Sequence, residues 1–179
     1  MILGKKEVLQ NLEKLSQLDI YDATEEAAEL VRKAAEGEVP VYSGELQQSI
    51  YKDVKRTEYG ATGEVFTEKE YAELVEFGTG PIGQENHEGT SPDVHKIYKP
   101  VPWWIHEKGS GGSREGHEKA KEIDKDVAER YSWPQSDTPN GRFYLCSGQP
   151  AQPFMYPAIA NHTDEIEEIY AKKIREVMK

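Results

Sequence analysis

The chain has 179 residues, enough for one domain with its own core, but 36% hydrophobic and 31% charged residues mean a small core and long polar segments. Its 33 acids and 22 bases leave a net charge of −11, which weighs against nonspecific DNA binding, because phosphate contacts need clustered Lys and Arg. A lone cysteine, Cys146, excludes an intrachain disulfide; with no apolar run for a signal peptide or for a membrane span of about 20 residues, the expectation is a soluble, cytoplasmically made protein with no membrane contact.

Residues 6 to 36 lack Gly and Pro. Val8, Leu12, Leu15 and Leu18, then Ala23, Ala27, Val31 and Ala34, recur at steps of three and four. The spacing predicts an amphipathic helix, or two collinear ones with a break near Asp19 to Asp22, stopped at Gly37. Its second half is alanine-rich, so a close-packing partner is expected there. Pro40 forces an extended approach into "VPVYSGELQQSI", residues 39 to 50, where Ser43 and Gly44 mark a turn or helix start. "IYKDVKRTE" and "TGEVFT" alternate in part around Gly60 and Gly63 and read as an antiparallel hairpin. A short helix is expected from about Glu68 to Phe77, ending at Gly78-Thr79-Gly80-Pro81.

Residues 82 to 147 differ in character and read as an irregular insertion into a single domain spanning 1 to 179. The run "KGSGGSREG" has linker composition, residues 116 to 130 read as a charged helix with a thin stripe of Ala120, Ile123 and Val127, and "GRFYLC" reads as a strand. "KPVPWWIH" should stay extended. In the last segment Pro153 and Pro157 bracket Phe154, Met155 and Tyr156, a corner that feeds a C-terminal amphipathic helix over about 158 to 178.

Few residues point to chemistry. His87, His95, His106 and His117 share one segment, but their gaps are too long for the close His pairs of zinc sites, and "HEKGS" at 106 lacks the second histidine of HExxH. Cys146 sits in a strand-like context, where burial rather than nucleophilic work is usual. No phosphate-cradling glycine motif occurs. No cofactor and no catalytic residue are expected; a metal-dependent enzyme built on the histidine-rich segment is the remote alternative. By residue type the binding candidates are Trp103, Trp104 and Trp133, which serve equally well as interface anchors or as a small satellite core.

Three stretches in order, "VPVYSGELQQSI", "YAELVEFGTG" and "GQPAQPFMYPAI", with a long helix before and a helix after, resemble the tail-completion (head–tail joining) proteins of long-tailed siphophages of the HK type. The matching positions are Gly44, Leu46, Ser49 and Ile50; Tyr71, Ala72, Val75, Glu76, Phe77, Gly78 and Thr79; and Pro153, Phe154, Met155, Pro157 and Ala158. The resemblance covers 1 to 80 and 148 to 179. Tyr42-Ser43 replaces the family's Asp-Thr, and Gln47 and Gln48 stand where a basic residue is common.

The resemblance implies an α+β fold of the tail-terminator kind, a small mainly antiparallel sheet flanked by the first and last helices. It implies a homo-oligomer, a hexameric ring in the virion at the head–tail junction, assembled in the host cytoplasm. Its partners would be head connector or adaptor proteins on one face and tail tube or tail terminator proteins on the other. DNA would pass through without specific binding. A tail terminator or another minor neck component is the alternative station. The matched residues would define the fold rather than react. Glu76, at the C-terminal end of a short helix, is badly placed for the helix dipole and so needs a specific partner. Candidates are the N–H groups of the Gly78-Thr79-Gly80 turn, a hydroxyl such as Ser43, or a base on the next subunit.

Overall fold

The structure is a computed structural model and describes residues 5–16, 18–41, 44–58, 60–107 and 125–178. Tyr42, Ser43, His117, the Gly/Ser run and residues 116 to 124 of the predicted charged helix lie outside the described residues. The fold is α+β. Its chain order is α1 (Lys5–Ser16), α2 (Tyr21–Glu38), a 3-10 turn (Gln47–Ser49), β1 (Ile50–Thr57), β2 (Gly60–Thr67), α3 (Ala72–Phe77), α4 (Gly80–Glu85), β3 (Trp103–His106), α5 (Lys125–Arg130), β4 (Gln135–Thr138), β5 (Gly141–Cys146), α6 (Met155–Ala160) and α7 (Thr163–Val177). Two compact units emerge, residues 1–72 with 153–179 and residues 73–152.

The first unit is organised around α2. Ala23, Ala27, Ala28, Val31 and Ala35 are buried along one stripe of it. That stripe is alanine-rich because the hairpin comes close. A Cβ placed on Gly63 of β2 would lie 3.2 Å from both Ala28 Cβ and Thr24 Cγ2, so small residues face each other across the contact. The hairpin is antiparallel, Ile50 opposite Thr67 through Thr57 opposite Gly60. Helices α6 and α7 also rest on α2, and the Tyr170 hydroxyl donates to Thr24 Oγ1 at 3.0 Å, satisfying a buried polar atom. Thr24 in turn donates to the Ile20 carbonyl at 2.9 Å. A cleft of about 200 Å³ remains among these elements, lined in part by Ala28, Val31, Gly63, Val65, Ile159 and Ile166. At the exposed side of α2, the Arg32 guanidinium beside Glu29 holds that carboxyl down at about 2.

The motif residues of the first stretch build the entry to β1. Gly44 takes φ +75° and its carbonyl accepts the Gln48 amide at 3.0 Å. Buried Ser49 donates to the Leu46 carbonyl at 2.8 Å and meets Thr67 Oγ1 at 2.7 Å, which therefore supplies the hydrogen of that contact. Gln47 Nε2 donates to the Glu36 carbonyl at 2.9 Å, satisfying an acceptor in the last turn of α2. Leu46 and Ile50 are buried beside this network.

The second unit holds a separate three-stranded antiparallel sheet in the order β3-β5-β4. Trp103 lies opposite Cys146, and Gln135 opposite Tyr144.

Several boundaries differ from the sequence expectation. Two sheets occur where one was expected. The N-terminal stretch is two helices, the second of the two readings its spacing allowed, with residues 18–20 in neither. Gly37 is inside α2, which stops just before Pro40, because one interior glycine costs only about 1 kcal/mol while proline cannot continue the ladder. The 68–77 helix begins at Ala72. The C-terminal helix is also two, α6 and α7, parted at Asn161-His162, and both lie chiefly on α2 rather than on the sheet. Within 82–147, α5 and β5 fall on the helix and the strand read from the sequence, while β3 and β4 add regular structure to a region expected to be irregular.

Candidate functional site

Backbone packs closely on backbone at the Gly78-Thr79-Gly80 corner of the second unit. The chain leaves α3, turns at Gly78 with φ +71°, runs extended through Thr79 and enters α4 with Pro81 in the first turn, where its missing N–H is no loss. Residues 147–152 return alongside. Thr79 donates its amide to the Gln149 carbonyl at 2.9 Å, and Gln149 donates back to the Thr79 carbonyl at 3.1 Å. Ile82 N–H reaches the Ser147 carbonyl at 3.1 Å, and Gln152 N–H reaches the Val75 carbonyl at 2.8 Å. Gln149 Nε2 donates to the Leu74 carbonyl at 2.8 Å, satisfying an acceptor that the short α3 leaves open.

Small residues make this approach feasible. A Cβ on Gly78 would stand 2.6 Å from the Ala151 amide nitrogen, and one on Gly80 2.7 Å from the Ser147 carbonyl oxygen. Two stretches singled out in the sequence, "YAELVEFGTG" and the start of "GQPAQPFMYPAI", therefore meet within this unit. Ser147 lies outside the stretches singled out in the sequence, and no bracing role is read there for Gly148 and Gln149. Their signal was a glycine followed by Gln-Pro just after a strand, a turn composition.

Glu76 is 6% exposed on the turn of α3 before this corner. Its carboxylate is not a free group. The Thr79 amide, one of the partners expected for it, is already given to Gln149, and Ser43 lies outside the described residues. Glu76→Ala is expected to lower the free energy of unfolding by about 1 to 3 kcal/mol, the usual cost of disrupting a buried polar group that has a partner. Urea denaturation of both proteins measures it. A loss below about 0.5 kcal/mol, the range of surface changes, means that the carboxylate does not hold the fold. Retained stability with failed assembly assigns it to a neighbouring subunit.

The tryptophans separate. Trp103 and Trp104 are adjacent on β3, so they point to opposite faces of the sheet. Trp103 is half-buried, its Cζ3 is 3.0 Å from a Cβ built on Gly80, and Lys99 Nζ lies 4.4 Å from its ring centroid. Trp104 is 54% exposed. Trp133 stacks on Tyr131 with centroids 6.1 Å apart. Only one of the adjacent pair can belong to any one surface.

The groups weighed for chemistry have structural surroundings. Cys146 is buried, and that burial pushes its thiol up, which disfavours the thiolate. His106 Nε2 lies 3.0 Å from the Asn140 carbonyl, and His87 Nδ1 lies 2.8 Å from the Gln84 carbonyl; a carbonyl only accepts, so those nitrogens carry the protons. Among the described residues no group of three or more His, Cys, Asp or Glu side chains is placed to hold a metal ion, and no helix is long and apolar enough to cross a membrane.

Comparison with known proteins places the N-terminal part of the chain. Residues 6–78 match the HK97-gp10-like family, described as "Bacteriophage HK97-gp10, putative tail-component". No curated protein and no solved structure matches. The matched span includes the α2 face, the Gly44–Ile50 entry, the hairpin and the Tyr71–Gly78 stretch. Over residues 6–78, under half of its length, the chain is similar to the HK97-gp10-like family of phage tail components.

Proposed function

We propose that this chain is a non-enzymatic structural protein of a phage neck that completes the tail and joins it to the head connector. The match of residues 6–78 to a phage tail-component family carries the reading. A tail component is a virion part; the finer station at the head–tail junction, with assembly in the host cytoplasm, follows from the ordered trio of motifs. In this reading several copies, six by resemblance, form a ring around the DNA path. One face meets the head connector and the other the tail tube or its terminator. Trp104, exposed on β3, is the aromatic anchor for one of these partners. The net charge of −11 suits a wall along which a duplex slides without being held.

The test uses tails assembled without this protein. Adding the purified chain is expected to let those tails join filled heads, with a gold label at the head-proximal end of the tube in electron micrographs. Label at the distal tip, or no gain in joined particles, would sink the reading. Label at the proximal end with joining unaffected by its absence would move the protein to the tail terminator's station.

A further inference from the structure

The hairpin is a sheet of two strands, so each strand has one free edge. The two edges differ. Strand β1 carries Lys52, Lys55 and Arg56, and its Val54 carbonyl accepts from the Tyr21 hydroxyl at 3.5 Å, so charge and a side chain guard it. Strand β2 has no lysine, no proline and no bulge over its eight paired residues, Gly60 to Thr67. Gly63 is exposed although a Cβ there would touch α2, so solvent reaches its backbone. It lies opposite Val54, whose carbonyl is turned off the ladder toward Tyr21. The alternation of an antiparallel ladder then turns the amides and carbonyls of Ala61, Gly63 and Val65 away from β1. Among the described residues nothing else bonds them.

The cleft among α2, β2, α6 and α7 lies beside this edge. Its strand residues are Gly63 and Val65, with none from β1, and Met155, Ile159 and Ile166 form the facing wall. None of its lining side chains carries a charge, and Ile159 is 53% exposed. On the other face of the hairpin Glu64 stands across from Asp53. Lys55 serves both, at 2.8 Å from Asp53 and 3.6 Å from Glu64, so one lysine answers two carboxylates beside the edge.

We propose that a β-strand of a partner protein adds to the free edge of β2. Its backbone takes the open groups of Ala61, Gly63 and Val65. Its alternate side chains are apolar and enter the cleft, and between them a lysine or arginine faces Glu64. The described strands of a second copy do not fit this edge. The inner faces of β1 and β2 are covered by α2, β5 is paired on both sides, β4 is exposed and polar throughout, and β3 has four residues. The inference does not depend on where in the virion the chain sits, and its test needs no virion part.

The probe is the fluorescein-labelled peptide SVTVKVTVS, added to the full chain. Anisotropy is expected to show saturable binding, and hydrogen exchange is expected to slow at Gly63 and Val65. The same peptide N-methylated at its valines, which removes the donors that face β2, should not bind. Glu64→Lys is expected to weaken binding about fivefold, because a cross-strand attraction becomes a repulsion, and SVTVEVTVS should then prefer the variant. Ile159→Asp is expected to abolish binding with wild-type circular dichroism; if it does not fold, the Glu64→Lys pair of peptides decides. The proposal is overturned by no saturable binding up to about 1 mM peptide, by equal binding of the N-methylated peptide, or by a folded variant that binds like wild type. It is equally overturned if the pure chain self-associates with protection of Gly63 and Val65, which would give the edge to a second copy.

Discussion

Replacing Gly148 with alanine is expected to destabilise the second unit by about 4 kcal/mol or more, a size reserved for changes with a definite steric cause. Gly148 takes φ +87°, a conformation that costs an L-residue roughly 1 to 3 kcal/mol. A Cβ there would also run into the Thr79 carbonyl oxygen, and that atom is backbone and cannot turn aside. Relief requires separating the strands, which breaks the reciprocal Thr79–Gln149 hydrogen bonds at 2.9 and 3.1 Å. Trp103 sits against Gly80 of the same corner, so its fluorescence should shift as the clamp opens. Gly37→Ala is the control: a Cβ there meets nothing within 4 Å in the helical interior of α2, and stability should hold or rise slightly. Equal melting of Gly148→Ala and wild type would show that the clamp is not a structural joint.

Phe154→Ala is expected to cost about 3 to 5 kcal/mol in the first unit. At 1% exposure Phe154 is the largest fully buried side chain. It stands immediately before α6, the helix that rests on α2 with Ala158 fully buried. Truncation would remove the buried ring and leave a cavity where the chain turns into α6. Urea denaturation gives the magnitude. A loss under about 1 kcal/mol would mean that the corner collapses around the gap, since the cost depends on how far a site can relax.

These two positions show unequal legibility. The corner at Phe154 was visible in the sequence because two prolines bracket it, but that Phe154 rather than Tyr156 would be buried was not. The hairpin was visible because its residues alternate around glycines. The tight helix–hairpin contact was visible as the Ala23, Ala27, Val31 stripe. The three-stranded sheet was not. Its middle strand β5 has an apolar pattern, but β4 is Gln-Ser-Asp-Thr, exposed at all four positions, and joins by backbone pairing and the exposed Asp137–Arg142 ion pair rather than by apolar burial. Its one local cue was Pro139-Asn140-Gly141, a turn composition beside Thr138. Gly148 was unreadable for a different reason. Its requirement comes from Thr79, far away in sequence, and nothing local announces that a carbonyl will press against its α-carbon. The break after α6 falls at Asn161-His162, polar residues that periodicity tolerates, so one long helix and two short ones share a pattern there, whereas the break before α2 had its cue in Asp19. The candidate site followed the same rule. Gly78 and Thr79 stood out by motif, whereas the segment that holds them did not.

The first unit is discontinuous, and this orders events on the ribosome. Residues 153–179 complete it by laying α6 and α7 on α2, yet they are made only after every residue of the second unit. At translation rates of about 5–20 residues per second the α2 face waits for several seconds. During that wait the second unit can form its own sheet, and α2 has only the β1–β2 hairpin for cover. A face built from Ala23, Ala27, Ala28 and Ala35 offers little apolar area per residue, so an unfinished chain presents neighbouring nascent chains with a poor surface for sticking.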